Sequence, residues 1–529
     1  MSNSNKRNDG KAGIMKAAGI LVIANMLSSI LGYVRDIIMS SVFDIGKTTD
    51  AYNAAFTIPD LIYTVLVGGG LSAAFIPVFS SYIADKKYKD GYRMASSIIN
   101  LVAISAAIVC ILGEIFAPQI LPMIVDFRGW GPEAYHLTVK LTRIMFIQCF
   151  FMCLTGICMG ILQSYKNFTP PSVGSVLYNI TIIVVGVVLL TWNFGIMGFS
   201  IGVVLGAVVN LMVQVFPIKR EGFKYEFKID LGHEGVKKFF KLFWPVLLGI
   251  SVQQINLIVN RYFGSGQGKG ILSSMTQAQR IMQLPINIFA YAIAMSIFPT
   301  MVEHFTHGRM NSYKKDLSMG IRNVAFIILP ASVGLISIRI PFIRAIYLQG
   351  NFSPENVPIL ANLLMFYCIG MIGYSVRHVT SQGFYAIQET LTPVCINIFI
   401  LVFNMVLSFA FVKVLGANGI AIAYSIAGLA SMTLQLFFLK RKVGTIRGKE
   451  IGTSILKALI SCAVMSALVD LETRLLEKML PMTSKKNQII EVLLLLIVGA
   501  AAYVISAYIL KMEELQSIID IFKKRFKRK

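Results

Sequence analysis

A handful of charged residues interrupt otherwise apolar sequence. Arg35 and Asp36 lie in "LGYVRDIIMSSVFD", Asp50 in "KTTDAYN", and Arg261 and Arg280 in later apolar runs. A charge at membrane depth costs about 2.5–3.5 kcal/mol on insertion scales, so it persists mainly where it meets a wet cavity or a partner. Arginine in such a place suits phosphate, because its planar fork makes paired, charge-assisted hydrogen bonds. Asp36 and Asp50 are expected to hold the guanidiniums while no ligand is bound. The alternative is that Arg261 and Arg280 reach out to the lipid–water boundary. No HExxH pair, nucleophile elbow or buried carboxylate pair occurs. "GSGQGKG" (264–270) lacks the GxxxxGK[ST] spacing and follows no strand, so it reads as an outer loop. These residue types bind; they do not catalyse, and the chain is not expected to be an enzyme.

The elements that must position them are membrane helices. The chain is 56% hydrophobic and 14% charged over 529 residues, where a soluble protein would carry about 25% charged residues. A spanning helix needs about 20 mostly apolar residues. Fourteen stretches qualify: 13–34, 51–83, 92–117, 137–164, 171–192, 195–217, 238–262, 274–303, 317–346, 357–387, 391–415, 416–439, 452–471 and 487–511. The expected fold is therefore an all-α polytopic membrane protein of about 14 transmembrane helices. The seven cysteines all fall in apolar segments without CxxC pairing, which implies reduced, buried side chains and no metal site.

The net charge of +23 could suggest nucleic acid. The basic residues instead sit in short clusters between apolar runs, such as Lys86–Lys89, Lys219–Lys228, Arg309–Lys315 and Lys440–Lys449. All fall in alternate loops, which places both termini in the cytoplasm. The final stretch, "MEELQSIIDIFKKRFKRK" (512–529), has an amphipathic pattern ending in a basic cluster, suited to anionic membrane lipids.

An internal repeat organises the chain. "AAFTIPDLIYTVLVGGGLSAAFIPVFSSY" is echoed by "RIMQLPINIFAYAIAMSIFPTMVEHF". Pro59 matches Pro285, Pro77 matches Pro299, and Arg35 matches Arg261, all at an offset of about 225 residues. An even number of helices separates the copies, so the repeats run parallel, a common transporter plan with its site at the repeat interface. The expected divisions are an N-terminal lobe (1–217), a cytoplasmic linker (218–237), a C-terminal lobe (238–440), an extra helix pair (441–511) and the basic tail (512–529). Gly68, Gly69, Gly70, Pro59, Pro285 and Pro299 are expected to bend helices two and eight where they line a cavity, and to act as hinges.

"LGYVRDIIMSSVFDIGKTTDAYNAAFTIPDLI", "GGGLSAAFIPVFSSY", "QRIMQLP" and "GFYAIQETLTPV" resemble the MurJ (MviN) lipid II flippases of the MOP exporter superfamily. The resemblance implies a bacterial cytoplasmic-membrane protein that moves lipid II, the undecaprenyl-diphosphate-linked disaccharide peptide, outward by alternating access. It implies that Arg35, Asp36, Asp50 and Arg280 match family site residues, that a groove involving the two extra helices takes the polyprenyl tail, and that cell-wall synthases are partners. Arginines common elsewhere in the family are Ser29 and Tyr63 here, and a glutamate is Gly68, implying a less charged cavity. Family members that bind sodium use aspartates in helices seven and eleven; these helices offer only Asn256, Asn260, Asn397 and Asn404. No cofactor is expected, and the energy source is expected to be the membrane potential or a monovalent cation. Three rival readings stay open: an exporter of another polyprenyl-diphosphate-linked glycan, a MATE-like drug exporter, and a non-transporting scaffold for cell-wall enzymes.

Overall fold

The computed structural model describes residues 24, 26–66, 72–479, 481–516 and 519. Among the described residues every regular element is a helix. Gly68–Gly70 and most of the basic tail lie outside them. Among the described residues, twelve helices are long and apolar enough to cross a membrane. The expected stretch 51–83 is divided into α2 (Lys47–Ala55), α3 (Thr57–Leu66) and α4 (Ser72–Ala84). The expected stretch 238–262 lies within α9 (Glu234–Ser265), one continuous helix.

Two compact units divide at Ser273 and Ser274. The first holds α1 (Met26–Phe43), α2 to α4, α5 (Tyr88–Ile124), α6 (Pro132–Ser164), α7 (Thr169–Thr191), α8 (Met197–Arg220) and α9. By the repeat α9 begins the second lobe, yet it packs on α3, α4 and α5 within the first unit. The core of this unit joins Phe75 and Phe79 of α4, Ile98 and Cys110 of α5, Phe146 and Cys153 of α6, and Phe239 of α9. α7 and α8 pack backbone to backbone: a methyl on Gly206 would meet the Tyr178 carbonyl at 2.9 Å. Small residues at crossings are how helices pack in lipid, where no hydrophobic force draws them together.

The second unit begins within α10 (Ile271–Pro285) and continues through α11 (Tyr291–Thr306), α12 (Met310–Ser337), α13 (Arg339–Tyr347), α14 (Asn356–Ile369), α15 (Met371–Ala386), α16 (Leu391–Leu415), α17 (Ala417–Val443), α18 (Gly448–Met479) and α19 (Lys485–Ile509). α15 and α17 cross where a methyl on Gly373 would lie 2.5 Å from the Gly428 carbonyl. The extra pair, α18 and α19, is fixed to α12 and α13 by two arginine clusters. Arg322 of α12 meets Glu513 at 2.9 Å, Glu514 at 3.2 Å and Glu450 at 3.9 Å. Arg344 of α13 meets Glu477 of α18 and Glu491 of α19, each at 3.0 Å.

The helix breakers have distinct effects. Pro59 falls in the first turn of α3, where its missing N–H is an orphan donor anyway. Pro285 ends α10, and the next five residues, Ile286–Ala290, form a π-turn before α11. A missing donor inside a continuous helix gives such a bulge its cause. Pro299 lies inside α11 without ending it. All seven cysteines are free; five are buried, Cys158 is half-buried, and Cys395 is exposed because α16 turns that side outward.

Candidate functional site

The charged residues of the first unit gather on α1, α3 and α9. Arg35 on α1 is 7% exposed, and its Nε and Nη2 donate to the Asp36 carboxylate at 3.2 and 3.1 Å. Adjacent residues on a helix do not share a face. The long arginine must therefore fold back along the helix, which fixes its guanidinium near the backbone. Arg261, near the end of α9, donates from Nη1 to the Thr57 hydroxyl at 2.8 Å. That is its one hydrogen bond among the described residues. Asp60, one turn along α3, lies in the electrostatic field of both Arg261 and Arg35. Two guanidiniums, one of them paired with Asp36, thus lie within electrostatic reach of the Asp60 carboxylate.

Asp60 and Thr57 are the residues that sequence reasoning missed. Both stand in "TIPDL", and the insertion-cost argument that singled out Arg35 applies equally to Asp60. Thr57 had no signal of its own, since its role depends on a residue 204 positions away.

Asp50 is placed elsewhere. It is fully buried, and its carboxylate accepts the backbone N–H groups of Gly270 and, at 2.8 Å, of Ser273. These are orphan donors at the start of α10, so Asp50 caps that helix from a distance and meets the positive end of its dipole. Asn53, one turn along α2, donates to the Ser273 hydroxyl at 3.0 Å. Gly270 takes φ +80°, and a methyl there would meet the Ile45 carbonyl at 2.7 Å, so no other residue fits. The structure sets Asp50 against a helix start rather than against a guanidinium.

Arg280 belongs to the second unit. It lies partly buried on α10, within electrostatic reach of Tyr347 on α13. Nearby on the same helix, Gln279 donates to the Tyr367 hydroxyl at 3.1 Å. Tyr367 packs edge-on against Tyr424, which stacks on Tyr374 at 4.5 Å, and Arg377 lies over the Tyr374 ring. Among the described residues no group of three or more His, Cys, Asp or Glu side chains could hold a metal.

The loop after α5 is tied to the end of α9. The Asp126 N–H donates to the Ser265 hydroxyl at 2.7 Å, and the Trp130 indole donates to the Ser265 carbonyl at 2.9 Å. Arg128 grips the Asp126 carboxylate and holds its pKa below the usual carboxylate value.

This helical frame, with arginines set among apolar helices, defines a multi-pass membrane protein built like known exporters. An inward-facing MATE family transporter of the MOP superfamily shares the fold, with a TM-score of 0.69 at 17% identity, covering 80% of this chain and 96% of that one. A solved structure described as lipid II flippase MurJ in an inward closed conformation matches with a TM-score of 0.79 at 26% identity, covering 92% of this chain and 98% of that one. Among curated relatives, a probable lipid II flippase MurJ of Bdellovibrio bacteriovorus is 25% identical over 510 residues, 96% of each chain. One of Buchnera aphidicola is 28% identical over 441 residues, 81% of this chain and 84% of that protein. The family profile described as lipid II flippase MurJ matches residues 39–490. The chain belongs to the lipid II flippase MurJ family, whose members are transport proteins and not enzymes.

Proposed function

We propose that this protein flips lipid II from the inner to the outer leaflet of the bacterial cytoplasmic membrane. The lipid diphosphate is held by Arg35 and Arg261 of the first unit. The headgroup is exposed alternately to the two sides, with both termini cytoplasmic and the tail against anionic lipid. Family membership supports the substrate. The observation that carries the binding chemistry is Arg261, a guanidinium among apolar helices whose hydrogen bond goes to a neutral hydroxyl. A hydroxyl satisfies one donor of five and no charge, so the fork keeps its capacity for a phosphate oxygen. Asp60 supplies the opposite charge between transport events and releases it when phosphate arrives. Asp36 holds Arg35 in place.

The test uses purified full-length protein and its Arg261→Ala variant in lipid nanodiscs. Lipid II is expected to raise the melting temperature of the parent protein, and the variant should lose most of that gain while melting normally without lipid. In cells depending on this protein, the variant should reduce translocation about 100-fold at unchanged protein level, which corresponds to about 2.7 kcal/mol. Full translocation by Arg261→Ala would discard the assignment of the binding residue.

A further inference from the structure

The segment between α8 and α9 reads "FKYEFKID" from Phe223 to Asp230, with Leu231 following. It forms no helix, and it is not loose. It lies along the first turns of α5, where four side chains grip its backbone and one acidic end. Glu226 N–H donates to the Ser96 hydroxyl at 3.0 Å, and Asp230 N–H to the Ser97 hydroxyl at 3.1 Å. Asn100 donates to the Lys228 carbonyl at 3.0 Å, and Arg93 meets the Asp230 carboxylate at 2.8 Å.

Phe223, at the start of the segment, packs edge-on against Tyr92 and Phe79. Beyond that anchor the apolar side chains at every second position are open: Tyr225 is 51% exposed, Phe227 92%, Ile229 41% and Leu231 61%. The Tyr225 ring lies on the surface with its hydroxyl donating to the Asn100 side-chain oxygen of α5. A stripe of four apolar side chains, two of them aromatic, is thus presented on a fixed backbone. Lys224 and Lys228 alternate with it, and Lys219 and Arg220 precede it.

Its height relative to the bilayer follows from α5. That helix has 37 residues, about 55 Å, far more than the hydrocarbon thickness of about 30 Å. The outer edge is marked by Glu114 on α5 and by Arg143 on α6, whose Nε donates to the Glu114 carbonyl at 3.1 Å. Counting back about 20 residues from there reaches the region of Met94. The other edge is marked independently by Asp85, Lys86 and Lys87 after α4 and by Lys219 and Arg220 at the end of α8. Ser96, Ser97 and Asn100 therefore stand within the first turns of the hydrocarbon edge, and the segment they hold runs at lipid headgroup depth.

We propose that residues 224–231 form a lipid-binding strip. Tyr225, Phe227, Ile229 and Leu231 enter the boundary between headgroups and acyl chains, and Lys224 and Lys228 engage anionic lipid phosphates beside them. Aromatic rings with a polar rim prefer this depth. The occupant is bilayer lipid because the stripe stands at the bilayer edge and its flanking charges are complementary to anionic headgroups. The strip fixes the depth of the first unit in the membrane through α5. It stands apart from the transport reading, since it concerns only the chain's seat in the bilayer.

The experiment places a Phe227→Trp variant of the full chain in nanodiscs, with the parent protein subtracted to remove the signal of its three native tryptophans. Phe227 is almost fully exposed, so the exchange leaves packing intact. Lipids brominated near the headgroup are expected to quench the added emission at least two-fold, with aqueous iodide having little effect. Quenching should be about two-fold stronger in phosphatidylglycerol discs than in phosphatidylcholine discs, and Lys224→Gln with Lys228→Gln should remove that difference. Quenching by iodide alone would show a stripe facing water and overturn the proposal. Shielding from both quenchers would show that a second copy or another protein covers it, which overturns it equally. Equal quenching in both disc types with the lysines intact would overturn the anionic preference. Loss of lipid II translocation would leave these outcomes unmoved.

Discussion

Arg322 and Arg344 in the second unit and Arg35 and Arg261 in the first are all guanidiniums set among membrane helices, yet they are compensated differently. Arg322 has three carboxylates within 4 Å, and Arg344 has two, one of them the fully buried Glu491. Negative charge there matches or exceeds positive charge. Arg35 reaches one carboxylate, Asp36, and Arg261 reaches a hydroxyl. Carboxylates saturate an arginine that fastens helices together. Arg261, hydrogen-bonded to a hydroxyl and only within the field of Asp60, keeps donors for an anion brought from outside. The distinction separates fastening from binding without reference to position in the sequence.

The largest effect that would break this comparison is on stability. Arg344→Leu strands Glu491 without a partner, and removing one member of a buried pair costs about 3–5 kcal/mol. Thermal denaturation in nanodiscs should show a large fall in melting temperature, and Arg344→Leu with Glu491→Leu should recover much of it. Arg261→Ala should shift the same melting curve little. Equal destabilisation by the two single variants would erase the division into fastening and binding arginines.

A smaller effect sharpens it. Gly373→Val pushes a side chain against the Gly428 backbone, and overpacking typically costs 1–3 kcal/mol. The second unit should loosen, read as faster hydrogen exchange in α15 and α17, while Arg35 and Arg261 chemistry in the first unit is untouched. Lipid II stabilisation that falls in proportion to this loosening would show that packing, not charge, limits binding.

The smallest effect concerns pH. Arg128 depresses the Asp126 pKa in the folded protein below its unfolded value of about 3.9. A carboxylate with a depressed folded pKa contributes stability that is complete above its unfolded pKa and is lost as pH falls through the folded one. The loop around Trp130 should therefore hold from neutral pH to about pH 4 and loosen below it, seen as a change in Trp130 emission that Arg128→Ala shifts to higher pH. A loop indifferent to acid would remove Asp126 from the elements that fix α9.

Much of this was legible in the chain. Apolar runs of about 20 residues marked the helices because a bilayer demands that length. Arg35 stood out because charge in such a run is costly. Asp60 in "TIPDL" is equally visible, since the same cost applies to a carboxylate. The partners of Arg322 and Arg344 could not be read, because Glu450, Glu491 and Glu513 are ordinary acidic residues until folding brings them to α12 and α13. The same holds for α9, whose place in the first unit follows from contacts with α3, α4 and α5 and not from its place in the repeat. Local pattern fixes helices; long-range pairing decides which charges are answered.

The start of α10 depends on Asp50, a side chain more than two hundred residues upstream. Its first turn is thus built from parts made far apart in time on the ribosome, and it closes only after α2 is already in the membrane. Arg280 rides on that same helix, so an alteration at Asp50 would reach it mechanically, through a frayed first turn, before any change of local charge is considered.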